Sequence, residues 1–141
     1  MKDKICIIGL GYVGLPLAHA FSEKYEVVGF DINKERIDEL NNFFDRTLEL
    51  DENQMKEAIK NGMKFTLNIE DIKDCNIYIV TVPTPIKDNN DPDLTPLIKS
   101  SQTVAKVLKQ NDIVTQLSHI VNHKFLYKKA SLNPINRHFL I

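Results

Sequence analysis

Lys4–Gly14 reads KICIIGLGYVG. Four apolar residues, Ile5 to Ile8, run directly into Gly9-x-Gly11-x-x-Gly14. A short apolar run that ends in glycine predicts a strand buried on both faces, here about Lys4–Ile8. Apolar residues at helical spacing follow and predict a helix over about Tyr12–Lys24, with Val13, Leu17, Ala20 and Phe21 inward. Pro16 falls near its first turn, where a missing N–H costs little. Gly9 permits the sharp turn out of the strand. Gly11 lacks a Cβ, so a ligand can approach the backbone, and Gly14 lets the helix pack closely on the strand. The free N–H groups near Tyr12 and Val13, at the positive end of the helix dipole, form an anion site. Buried strand, glycine turn and helix in this order predict a dinucleotide-binding turn that holds a pyrophosphate.

The second strand, Glu26–Phe30, ends in Asp31, seventeen residues past Gly14. A carboxylate at that strand tip accepts hydrogen bonds from both hydroxyls of an adenine ribose and repels a 2′-phosphate, which favours NAD over NADP. A purely structural reading stays open at this point: the glycines shape a turn and Asp31 caps the helix that starts near Asn33. Arg36 lies five residues beyond Asp31, where its guanidinium can stack near the adenine or contact the ribose, or simply be a solvated surface group.

The rest of the chain keeps alternating strand and helix. Helices are predicted over about Asn33–Asn41, with Ile37 and Leu40 inward, and over Glu52–Asn61, with Met55, Ala58 and Ile59 inward. A short strand at Lys64–Leu67 and a helical turn at Ile69–Lys73, capped by Asn68, come next. Asn76–Val82 is an almost continuous apolar run, as in a parallel strand covered on both faces. It enters Pro83-Thr84-Pro85. The prolines hold this loop extended, so that Val82, Pro83 and Thr84 can wall a crevice and the Thr84 hydroxyl can donate to a phosphate or ribose oxygen. Ile86–Leu94 reads as an exposed loop, and its Asp88, Asp91 and Asp93 as turn chemistry rather than a metal site. Thr95 is the expected cap of a helix that has Pro96 at its first position and runs to about Lys109, with Leu97, Ser101, Val104, Val107 and Leu108 inward. A fifth strand starts at Asp112. This order predicts an α/β fold, a doubly wound parallel sheet, with its ligand at the carboxyl ends of strands one and four.

Composition sets the outer limits. The 141 residues fit one domain. A net charge of −1 gives no field to draw the chain to nucleic acid or to a membrane surface. No apolar run approaches the ~20 residues of a membrane span. Cys6 and Cys75 sit in or beside predicted strands and read as small core residues in a reducing compartment, the cytoplasm. Charge is uneven: residues 1–112 carry a net −5, and residues 113–141 carry a net +4 with no acid.

GLGYVGLPLA (9–18), VVGFDINKERI (27–37), DRTLEL (45–50) and IVTVPTPIKDNNDPDLTPL (79–97) together resemble the N-terminal domain of the UDP-glucose/GDP-mannose dehydrogenase family. Within it they are most similar to bacterial UDP-N-acetylhexosamine 6-dehydrogenases of surface polysaccharide and capsule synthesis. The resemblance covers residues 2–114 and implies a Rossmann domain. It implies that NAD is contacted at Tyr12, Val13, Asp31, Arg36 and Thr84. It also implies a UDP-sugar substrate, oxidised at C6 to the carboxylate in two NAD-dependent steps through a thiohemiacetal on a cysteine.

After Val114 the resemblance stops. The family's Glu-Ser-Thr motif is absent, as are its substrate domain, its catalytic lysine and asparagine, and its nucleophilic cysteine. Two parts are therefore expected: an NAD-binding domain over 1–114 and an anomalous tail over 115–141, from a truncated or frameshifted gene. No residue here is expected to be catalytic, and His119, His123 and His138 in the tail are assigned no role. The sheet should be incomplete at its C-terminal edge, where the open edge or the tail could support a homo-oligomer. An alternative is a stand-alone dinucleotide-binding or regulatory module. A third class, a short 3-hydroxyacid dehydrogenase, is disfavoured by the PTP loop and the DPDLTP segment.

Overall fold

A computed structural model describes residues 2–117 of the chain. Five strands, β1 (Lys4–Ile8), β2 (Glu26–Phe30), β3 (Lys64–Thr66), β4 (Ile77–Val80) and β5 (Ile113–Gln116), form one sheet in the order β3-β2-β1-β4-β5. All pairings are parallel: Ile7 lies beside Gly29 on one side and Ile79 on the other, and Val80 lies beside Gln116. Chain order reverses between β1 and β4, so the ligand crevice of a doubly wound sheet falls beyond their carboxyl ends. The last strand runs to Gln116, two residues past the motif match at Val114. The tail's three histidines lie outside the described residues.

Alternation within the strands builds the two cores. Ile5 and Ile7 face a layer made by α1 (Gly14–Ser22), α2 (Lys34–Asn41) and α3 (Glu52–Lys60), with Leu15, Ala18, Ile37, Leu40, Met55 and Ala58 buried there. Cys6 and Ile8 face the other side, where Val28, Ile72, Tyr78 and Val104 of α4 (Thr95–Val107) are buried. Burying such a face is what overcomes the backbone entropy of each short helix. Tyr78 fits into the core because its hydroxyl donates to the carbonyls of Ile72 and Cys75, at 3.0 and 3.1 Å. Both cysteines are buried and free, and the Cys6 thiol is pushed up by its hydrogen bond to Cys75 and by burial. They are core residues, as expected, and neither is an exposed thiolate.

Several local expectations shift. Helix α1 starts at Gly14, and it buries Gly14, Leu15, Ala18 and Ser22. Val13 and Ala20 are exposed, while Leu17 and Phe21 sit at the flank. Gly14 starts this face because a Cβ there would strike the Gly9 carbonyl. In α4 the buried serine is Ser100, not Ser101, and the helix ends at Val107. Thr95 is its first residue rather than its cap, and the cap position is Leu94. The side chain that accepts a turn N–H is Asp93, which takes the Thr95 amide at 3.0 Å. The expected loop 86–94 is a small hairpin: Ile86 bridges Pro92, and Asn89 donates to the Asp91 carboxylate at 2.7 Å. The helical turn at Ile69–Ile72 is a 3-10 helix capped by Asn68, as read from sequence.

Candidate functional site

The glycine turn is held from three sides. Gly9 leaves β1 with φ +94°, a conformation that favours glycine, and its N–H donates to Phe30 O at 2.9 Å. A Cβ on Gly9 would lie 3.1 Å from Val82 Cγ1, so the turn packs directly on the strand-four exit. A Cβ on Gly14 would fall 1.8 Å from Gly9 O and 2.4 Å from Thr81 Oγ1. Only glycine lets α1 begin there. Thr81 completes the fastening: its hydroxyl donates to Gly9 O at 2.7 Å and to Ile8 O at 3.1 Å.

Asp31 reaches the same turn. Its Oδ2 accepts the Leu10 N–H at 2.9 Å, and its Oδ1 accepts the Asn33 N–H at 2.9 Å. It does not cap α2; Asn33 does that, accepting the Arg36 N–H at 3.2 Å. Each carboxylate oxygen keeps a lone pair for a further donor. Leu10 itself is fully buried, and its side chain packs against Gly29, where a Cβ would meet it at 2.9 Å.

Arg36 departs from a solvated surface arginine. It is buried, and its Nε donates to Leu10 O at 2.8 Å. Its Nη2 pairs with Asp45 Oδ1 at 2.8 Å and lies 3.3 Å from Thr47 Oγ1. Its Nη1 lies 3.5 Å from Glu39 Oε2 and makes no hydrogen bond. Both backbone groups of Leu10 are thus gripped, its N–H by Asp31 and its carbonyl by Arg36.

In the sequence Asp45 carries only the family resemblance; the structure makes it the partner of Arg36. Burial raises its pKa, but the Thr47 hydroxyl, the Leu50 and Thr47 amides and Arg36 outweigh that and bring it down to about 2. The Asp-x-Thr spacing in Asp45-Arg46-Thr47 was the available signal, since such pairs form local side-chain turns. Thr81 was missed because it reads as one polar residue at the end of an apolar strand.

Of the residues expected from sequence, Gly9, Gly14, Asp31, Arg36 and Val82 come together as one cluster at the carboxyl ends of β1, β2 and β4, joined through Leu10, which sequence reasoning had not singled out. Tyr12 and Val13, at the start of α1, are exposed beside it, and Pro83 (exposed) and Thr84 (half-buried) follow Val82. The arrangement fits a dinucleotide on two observations. A Cβ on Gly11 would meet nothing within 4 Å, so the space over the turn is open to a pyrophosphate. No side chain caps α1; the Leu15 N–H goes to Gly11 O at 3.2 Å and Pro16 has none, so the amides that can face an anion are those of Tyr12, Val13 and Gly14.

Comparison with known proteins agrees with this fold. The family model for the UDP-glucose/GDP-mannose dehydrogenase family, NAD binding domain, matches residues 3–125. The UDP-N-acetyl-D-glucosamine 6-dehydrogenase of Pseudomonas aeruginosa is 56% identical over 115 residues, covering 81% of this chain and 27% of the relative. The Salmonella typhi enzyme of the same name is 57% identical over 117 residues, covering 83% and 27%. Among solved structures, the UDP-D-ManNAc dehydrogenase of Pyrococcus horikoshii superposes with a TM-score of 0.78 at 38% identity, over 83% of this chain and 28% of that one. A ternary complex of Pseudomonas aeruginosa GDP-mannose dehydrogenase gives 0.75 at 26% identity, over 85% and 29%. The chain spans 27% of the length of both curated relatives. It belongs to the UDP-glucose/GDP-mannose dehydrogenase family, as the NAD-binding domain of that family.

Proposed function

We propose that this chain supplies the cofactor half of an NAD-dependent UDP-N-acetylhexosamine 6-dehydrogenase that serves bacterial surface polysaccharide synthesis in the cytoplasm. The domain over residues 1–114 binds NAD, and the chain on its own does not turn over. Bound NAD supplies the hydride acceptor. The amides of Tyr12 and Val13 and the open face of Gly11 take the pyrophosphate. Asp31 takes the adenine ribose hydroxyls, and Arg36 with the Val82–Thr84 segment borders the crevice. Oxidation of an alcohol to an acid also needs a nucleophile and a proton acceptor placed at the substrate. Cys6 and Cys75 cannot be that nucleophile, because both are enclosed in the core.

One observation carries the reading: the Asp31 carboxylate sits 2.9 Å from the Leu10 amide inside the glycine turn, so the ribose and pyrophosphate subsites are contiguous. The test is NAD titration followed by thermal melting. NAD raises the midpoint of the wild-type chain, NADP does so weakly, and Asp31→Ala loses most of the NAD response. Equal responses to NAD in wild type and variant would overturn the assignment. UDP-sugar-dependent NADH production by the isolated chain would overturn its inactivity.

A further inference from the structure

We infer that Asp45 is a positioning residue for the dinucleotide turn, acting through Arg36; this rests on the NAD reading above. The Asp45 side chain has no exposed surface and takes five donors. Thr47 gives its N–H at 2.9 Å and its hydroxyl at 2.6 Å. Glu49 and Leu50 give N–H groups at 2.9 and 3.0 Å, and Arg36 gives Nη2 at 2.8 Å. The backbone of 45–50 therefore folds around one carboxylate. That would be ordinary loop chemistry if the fifth donor did not belong to Arg36, whose other end holds the Leu10 carbonyl.

The consequence is a relay of fixed groups from the loop through Asp45 and Arg36 to Leu10, the residue between Gly9 and Gly11. Without the Asp45 carboxylate, the buried guanidinium keeps only the longer 3.5 Å ion pair to Glu39 and must move or rehydrate. If Arg36 moves, Leu10 O loses its donor and the amides around the pyrophosphate lose their fixed spacing. Preorganisation of that kind sets ligand affinity. Arg36 Nη1 is the one buried side-chain polar atom among the described residues without a hydrogen bond.

The experiment uses the full chain and two variants. Asp45→Asn removes the charge and turns an NH2 toward donors. Thr47→Val keeps the charge and removes the hydroxyl shared by Asp45 and Arg36. Native-state hydrogen exchange is measured without ligand at the Leu10 amide, relative to Ile7 in β1, and NAD dissociation constants are measured by titration. In Asp45→Asn the Leu10 amide exchanges about tenfold faster relative to Ile7, and the NAD dissociation constant rises about tenfold. Thr47→Val moves both in the same direction by about threefold, and carries the test if Asp45→Asn does not fold. A folded variant in which both ratios stay within about twofold of wild type overturns the proposal and leaves the NAD reading intact. Failure of wild type to bind NAD overturns that reading instead, and the Leu10 exchange still decides whether Asp45 positions the turn.

Discussion

The Asp31 carboxylate and the Leu10 amide are joined by a 2.9 Å hydrogen bond across 21 residues of sequence. The acid proposed to select the ribose is therefore also a strut of the turn proposed to hold the pyrophosphate. Removing it does two things at once, and substitutions can separate them.

Asparagine at position 31 keeps one acceptor oxygen and can hold either Leu10 or Asn33, while alanine holds neither. Asp31→Ala is expected to lose about 1–2 kcal/mol of stability and Asp31→Asn about half of that, because hydrogen bonds to a charged acceptor are the stronger kind. Asp31→Asn also removes the negative charge that repels a 2′-phosphate, so its preference for NAD over NADP narrows. Urea unfolding checks the first expectation and paired NAD and NADP titrations check the second.

The three glycines of the turn are not equivalent. Alanine at 14 would drive its Cβ into the Gly9 carbonyl and the Thr81 hydroxyl, so α1 must lift off the strand. Gly14→Ala is expected to cost about 3 kcal/mol or more. Alanine at 11 meets open space in the free protein, so Gly11→Ala should keep its stability within about 0.5 kcal/mol. It fills the space the pyrophosphate needs, and NAD affinity should fall at least about tenfold. Thermal melts with and without NAD separate the two outcomes. A destabilised Gly11→Ala with full NAD affinity would contradict the placement of the ligand.

What the sequence made legible follows the range of the interactions. β1 and β4 were readable because residues buried on both faces leave an unbroken apolar run. Asp31 was readable because it directly follows such a run. The phase of α1 was not, because its buried face is chosen by how closely Gly14 approaches the Gly9 carbonyl, a distance that periodicity does not encode. Arg36 was found as a residue but not as a buried one. Its burial depends on Asp45, which lies nine residues on, in a segment with neither helical nor strand period.

Asp45 gives the fold a definite acid sensitivity. Its carboxyl is lowered to about 2 from 3.8, so the folded state binds the proton less readily than the unfolded chain. The stabilisation is present above pH ~4 and is lost as pH falls from there through about 2, amounting to about 2 kcal/mol. Stability measured by urea unfolding should therefore fall more steeply over that interval in wild type than in Asp45→Asn. A variant with the same slope as wild type would assign the acid loss to other carboxylates.

Thr81 is the last support of the turn, and it can be removed with little change of shape. Its hydroxyl is the donor to Gly9 O, the same oxygen that a side chain at position 14 would strike. Valine keeps the volume and leaves that carbonyl without its partner, next to the helix whose first turn must remain fixed. Thr81→Val is expected to cost about 1–2 kcal/mol, the usual penalty for an unsatisfied buried group. NAD binding should weaken severalfold, because the turn no longer holds one spacing. Thr81→Ser restores the donor and should return affinity to near the wild-type value despite its lost methyl. If serine and valine weaken NAD equally, the hydroxyl does not hold the turn, and packing of the methyl against α1 is what position 81 contributes.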